Sequence, residues 1–152
     1  MYRRIMAFDF DGTLAVNGDV PPEVESALAR CRDGGYVLFL VTGRRYETVQ
    51  LGYLGSLFAG IVWENGAVLS HTASSETYLP FGQLDARLLK AIEEAGIPFD
   101  RGLAIAATWT PHDQALWRIL SAHGGSTSVE YNKGAVMVLP PGATKGSGLE
   151  RL

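Results

Sequence analysis

Cys31 is the only cysteine in this chain of 152 residues, so no intrachain disulfide can form and no Cys-x-x-Cys pair exists to seat a zinc knuckle. A reducing, cytoplasmic setting is the compartment this suggests. An excess of charge is missing as well: 13 Lys and Arg stand against 16 Asp and Glu, spread along the chain, for a net charge of -3. No basic stripe of the kind that nucleic acid or anionic lipid requires is present. No apolar run approaches the length of a membrane span, and the one behind Arg3-Arg4 is cut at Asp9, too early for a signal-peptide core. Internal repeats and low-complexity tracts are absent. His71, His112 and His123 have no metal-ligand spacing and read as structural or exposed. With 47% hydrophobic residues the chain can bury a core, and its length suggests one domain with a small inserted module.

The most informative stretch is Asp9-Phe10-Asp11-Gly12-Thr13-Leu14, directly after the apolar run Ile5-Met6-Ala7-Phe8. It places two carboxylates at the end of a strand. Strand side chains alternate faces, so Asp9 and Asp11 point the same way if the extended geometry continues, and Gly12 allows a sharp turn around a ligand. Such a pair suits phosphoryl transfer: one carboxylate attacks phosphorus and helps hold a hard cation such as Mg2+, while the other carries protons. A solvated turn has the same pattern. A calcium loop does not, because Thr13, Leu14, Ala15 and Val16 supply none of the later carboxylates.

The first strand spans roughly residues 3 to 10. Pro21-Pro22 opens a helix with Val24, Ala27, Leu28 and Cys31 at helical spacing, closed by Gly34-Gly35. Tyr36 to Val41 is a continuous apolar run suited to a parallel strand covered on both faces, and a helix is predicted over about Tyr46 to Leu57. Ile61-Val62-Trp63 is a third strand, before a Glu64-Asn65-Gly66 turn. Strands alternating with helices predict a parallel α/β sheet. At His71 the texture becomes small and polar, which sets a boundary. Beyond it lie a strand over 76 to 81, an amphipathic helix closed by Gly96, and a strand over 102 to 109. A helix capped by Thr110 follows, then a hairpin around Asn132-Lys133-Gly134. The expected organisation is a core of residues 1–70 and 140–152 with an α+β insert over 71–139.

Open parallel sheets gather ligands beyond the carboxyl ends of their strands, and three features fall there. Asp9 and Asp11 follow the first strand, and Thr42-Gly43-Arg44 follows the second. Lys145 follows Pro140-Pro141-Gly142-Ala143-Thr144 and opens a helical segment. A hydroxyl and free amides suit a phosphate oxygen, and an ammonium offsets the charge of phosphate and nucleophile. Each also has a plain structural reading: Thr42 as a cap, Arg44 and Lys145 as surface charges.

Taken in order, these motifs resemble the haloacid dehalogenase-like phosphohydrolases, in particular the Cof-type branch with a cap after the third strand. Asp9-Phe10-Asp11-Gly12-Thr13, Val41-Thr42-Gly43-Arg44, Asn65-Gly66-Ala67 and Lys145 stand where that family has its signatures. The resemblance implies a Rossmann-like core with a capping insert, and an aspartyl-phosphate mechanism on small phosphorylated metabolites such as sugar phosphates. By the same resemblance Asp9 is the nucleophile and Asp11 the acid/base. The Asp9 side chain and the Asp11 backbone carbonyl bind Mg2+. Thr42, Lys145 and amides near Gly12 and Gly43 hold the phosphoryl oxygens, and Arg44 and Asn65 face the substrate.

The family's fourth motif, an acidic loop after a further strand, has no counterpart here; Glu150 is the only acid beyond Lys145. The expectation is a fragment of a longer polypeptide or a truncated protein with an incomplete metal site. It implies an open edge on the first strand and self-association through it. Two alternatives remain, a phospho-acceptor signalling domain and a phosphate-binding module without turnover. A nicotinamide-binding fold is disfavoured, because the first strand lacks the Gly-rich loop such cofactors need.

Overall fold

The computed structural model describes residues 4–46 and 48–152. The chain alternates β1 (Arg4–Asp9), α1 (Pro22–Asp33), β2 (Tyr36–Val41), α2 (Tyr53–Ser56) and β3 (Gly60–Trp63), then a one-turn 3-10 segment, Glu64–Gly66. β1, β2 and β3 are parallel, as their unbroken apolar character predicts, and a hairpin of β4 (Val68–His71) and β5 (Glu76–Tyr78) extends the sheet in the order β1-β2-β3-β4-β5. Leu38 and Leu40 turn to one face and join Leu28 of α1, each side chain at most 3% exposed and contributing about 1.5–3 kcal/mol by burial. Val41, Val62 and Leu69 turn to the other face and meet Leu149 of α5 (Lys145–Arg151) and Leu152 just beyond it.

The insert is a second sheet in the order β6-β7-β9-β8, from β6 (Asp100–Arg101), β7 (Ala106–Trp109), β8 (Ser128–Asn132) and β9 (Ala135–Leu139). Helices α3 (Ala86–Glu94) and α4 (Asp113–His123) cover one of its faces, burying Leu88, Ile92, Leu116 and Leu120 against Val136 and Val138. The opposite face turns Met137 and Leu139 into the main core cluster, so the two sheets share an apolar seam.

Four sequence expectations need correction. The boundary expected at His71 lies later, because residues 76–78 pair with Leu69–His71 and belong to the first sheet. The helix predicted over 46 to 57 forms only at Tyr53–Ser56. Gly52 sits at φ 51°, ψ -130°, outside helical space, and Tyr46 is held by its backbone N–H and its ring instead; residue 47 lies outside the described residues. The strand over 102 to 109 is broken, and only Ala106–Trp109 pairs there. Thr110 does not cap α4: its N–H donates to the Gly134 carbonyl as the ladder ends, and the helix starts at Asp113.

The hairpin expected around residues 132–134 forms with the two-residue turn Lys133-Gly134, both at positive φ (48° and 87°), which matches the twist of its strands. Thr144 caps α5, accepting the Ser147 N–H at 3.0 Å. That helix is seated by contact between two glycines. A Cβ on Gly148 would lie 2.6 Å from the Gly66 Cα, and one on Gly66 would lie 1.9 Å from the Thr144 carbonyl oxygen. Gly148→Ala is therefore expected to cost about 1–3 kcal/mol in a urea melt, by forcing α5 off the 64–66 turn. An unchanged midpoint would show that the two segments do not touch.

Candidate functional site

β1 delivers Asp9 at its last position, and the chain then folds back on itself. The Leu14 and Ala15 N–H groups donate to the Phe10 carbonyl at 3.0 and 2.8 Å, and Gly12, at φ 78°, donates its own N–H to the Ala15 carbonyl at 3.0 Å. Gly12 thus makes the expected turn, but its amide serves the turn and is not directed at a ligand. From the far end of the chain, Lys145 Nζ donates to Asp9 Oδ1 at 2.6 Å across a separation of 136 positions. Arg44 grips Asp11 with a two-pronged fork, Nε to Oδ2 at 2.9 Å and Nη2 to Oδ1 at 2.7 Å. Its hydrogen bonds hold the Asp11 carboxyl below the usual carboxylate range; burial opposes them, and the charges of Arg44 itself, Lys133 and Lys145 add smaller effects in the lowering direction.

These groups line a cleft of about 610 Å³ between the two sheets. Asp9, Asp11, Gly43, Arg44 and Lys145 form its floor, and the β8–β9 hairpin supplies its roof through Asn132, Lys133, Ala135 and Met137. A second hollow of about 450 Å³ on the core is bordered by Tyr46, Trp63 and Thr77, and among the described residues no carboxylate, lysine or arginine lines it.

Two of the expected site residues lie beneath the cleft and do not border it. Thr42 is 1% exposed; its N–H donates to the Val62 carbonyl and its hydroxyl oxygen accepts the Arg44 N–H at 3.1 Å. Asn65 is 3% exposed and in left-handed backbone geometry. Its side-chain amide donates to Met137 Sδ at 3.3 Å, and its carbonyl oxygen lies where a Cβ on Gly43 would come within 2.9 Å. Asn65 therefore supports Gly43 and the hairpin from below and does not face a substrate. The three histidines serve structural contacts: His71 meets the Tyr78 hydroxyl, His123 the Asp85 carboxylate, and His112 the ring of Trp109.

Glu64 was read from the sequence only as part of a turn. It is fully buried, and its carboxylate accepts three backbone N–H groups: Tyr46 at 3.2 Å, Leu103 at 2.9 Å and Ala104 at 2.9 Å. Tyr46 belongs to the first sheet's loops and Leu103-Ala104 to the insert, so one side chain ties the two together. Gly102 permits the approach, since a Cβ there would meet Glu64 Oε1 at 2.6 Å. Nothing along the chain pairs residue 64 with residue 103, although an acid behind an apolar strand was a visible oddity.

Among the described residues no three His, Cys, Asp or Glu side chains cluster. A cation at this floor would rest on the oxygens of Asp9 and Asp11 alone. That set of hard donors suits an ion that keeps most of its water.

The structure is thus a two-sheet α/β architecture with paired charges at its strand ends. The sequence model of the haloacid dehalogenase-like hydrolases matches residues 6–105, and the chain belongs to that family. No curated protein matches it by sequence. Solved structures do resemble it. A haloacid dehalogenase-like hydrolase from Bacteroides thetaiotaomicron superposes with a TM-score of 0.76 at 15% identity, over 99% of this chain and 76% of that one. A sugar phosphatase of HAD subclass IIB gives 0.73 at 17%, over 97% and 74%. A further phosphatase from Bacteroides thetaiotaomicron gives 0.70 at 15%, over 97% and 70%. At such identities the likeness is one of fold.

Glu64→Ala would leave three buried N–H groups without an acceptor. It is expected to cost about 3 kcal/mol in denaturant unfolding, with accelerated hydrogen exchange at Leu103 and Ala104. A loss below about 0.5 kcal/mol, within the range of ordinary surface substitutions, would remove the clamp from the account.

Proposed function

We propose that the chain is a Mg2+-dependent phosphohydrolase acting on small phosphorylated metabolites, sugar phosphates among them, through an acyl phosphate on Asp9, the aspartyl-phosphate intermediate. The observation that carries this reading is the Asp9–Lys145 pair at 2.6 Å on the cleft floor. A carboxylate 41% exposed and steadied by one ammonium is an accessible nucleophile whose charge is partly offset, so an anionic phosphate can approach it. Oxygens of Asp9 and Asp11 would hold Mg2+, which would further neutralise the phosphoryl oxygens.

In the first half-reaction an Asp9 oxygen forms a bond to phosphorus as the ester P–O bond breaks, and the leaving alkoxide takes a proton from Asp11. In the second, water attacks the acyl phosphate, gives its proton to Asp11 and releases inorganic phosphate and free Asp9. Asp11 must be protonated for the first step, and its Arg44 fork opposes that. A bound phosphate competes for the same guanidinium, which fits two phosphate oxygens equally well and so frees Asp11 to accept a proton. Thr42 and the Gly43 backbone stand behind Arg44 as supports for the phosphate loop.

Asp9→Asn is expected to reduce Mg2+-dependent hydrolysis of p-nitrophenyl phosphate at least ~1000-fold. Lys145→Ala is expected to reduce it ~100-fold. Wild-type protein with no Mg2+-dependent turnover, but with measurable phosphate affinity, would favour the non-catalytic phosphate-binding module instead.

β1 supports one proposal about partners. Among the described residues it pairs only with β2; Ile5 is 63% exposed on one face, and Met6 and Phe8 on the other line a largely apolar groove against α1. We infer that this edge pairs with the β1 of a second copy. Light scattering should give twice the monomer mass at high concentration, and Ile5→Lys should restore the monomer; a monomeric wild type would end the idea.

A further inference from the structure

Above the cleft floor the charges do not balance. Arg44 is taken by Asp11 and Lys145 by Asp9. Lys133 reaches the same cleft from the roof, yet among the described residues no carboxylate oxygen lies within 4 Å of its ammonium. Its backbone is set by a two-residue turn, of which it is the first position, closed by the Asn132–Ala135 pair. Its exposed ammonium, whose charge also acts on Asp11 across the cleft, is open to an anion that does not come from the protein.

The phosphoryl group under attack belongs at the floor, beside Asp9 and Lys145. What lies under Lys133 is then the remainder of the substrate. The same roof also offers an aromatic face. Trp109 pairs across the ladder with Ala135, and Ala135 with Asn132, so the three side chains stand in one row on one face of the sheet. Ala135 and Asn132 border the cleft, and Trp109 remains 46% exposed at the end of that row. The roof therefore has a cation and the Asn132 amide on one side of Ala135 and a flat apolar surface on the other.

We propose that this roof selects phosphomonoesters whose leaving group carries a second anionic group, a carboxylate or another phosphate, with Lys133 binding that anion and Trp109 packing against the carbon body. The proposal rests on the phosphohydrolase reading for its account of the floor, but it is tested by binding and not by turnover.

The test is calorimetric titration of the whole protein, with Asp9→Asn present throughout so that no ligand is hydrolysed and position 133 alone varied, in excess Mg2+, with ethyl phosphate, 2-phosphoglycolate and ethylene glycol bisphosphate. The expected result is at least tenfold tighter binding of one or both dianion-bearing ligands than of ethyl phosphate, and the two arms tell a carboxylate site from a second phosphate site. In Lys133→Asn, which keeps a residue at ease in left-handed geometry, that ratio falls to within twofold of unity, and Lys133→Arg restores it. Equal affinities with Lys133 in place, or a preference that survives Lys133→Asn, overturn the proposal. If ethyl phosphate binds and p-nitrophenyl phosphate is hydrolysed by the wild type while all three ligands bind alike, only the role of Lys133 fails. If none of the ligands binds, both readings fail.

Discussion

A carboxylate with no exposure to water, Glu64, collects N–H groups from two units that also meet through an apolar seam and a few more exposed polar contacts. Hydrophobic contact between sheets is strong but tolerant of sliding, whereas three directed hydrogen bonds to one buried anion are not. The residues on either side add to the constraint. Asn65 reaches up to Met137 under the roof and braces Gly43, and Gly66 makes room for the α5 turn that carries Lys145. Three consecutive positions thus set the height of the roof, the shape of the phosphate loop and the reach of the lysine. Glu64 and Asn65 both hold positive φ to do so, a conformation costing side-chain-bearing residues of order 1 kcal/mol each.

The cleft is electrostatically guarded in its resting form. Each floor carboxylate is matched to a cation, which keeps two acids near one another without mutual repulsion. Pairing of this kind steadies the nucleophile and restrains the acid at once. Both Arg44 and Lys145 can move to phosphate oxygens, so an incoming ligand exchanges one set of ion pairs for another and does not have to break charges apart.

Much of this was legible in the residues. The parallel core follows from apolar runs of strand length ending in turn chemistry, and Tyr36–Val41 forms as read. Asp9, Asp11, Arg44 and Lys145 meet at one cleft because strand ends and helix starts converge there. The failures have physical causes. Periodicity cannot see that the Tyr46 N–H prefers a distant carboxylate to a helical carbonyl. A polar stretch at residues 71–75 resembles a linker but is a hairpin turn, because the β4–β5 ladder brings the chain back into the same sheet. Asn65 and Gly12 carry family signatures, yet their polar groups are consumed within the protein. Lys133 looked like an ordinary turn residue, since what lies opposite a turn is a matter of tertiary placement.

The distance along the chain between Asp9 and Lys145 has a consequence for how the protein is made. With a separation of 136 positions, their contact is among the least local that this chain can form, and closing it carries the entropy of ordering nearly everything in between. During synthesis Asp9 emerges early and stays without its lysine until residue 145 has cleared the ribosome. A folding chain therefore holds its first strand ready long before it can hold a charge-balanced site, which closes only when α5 docks.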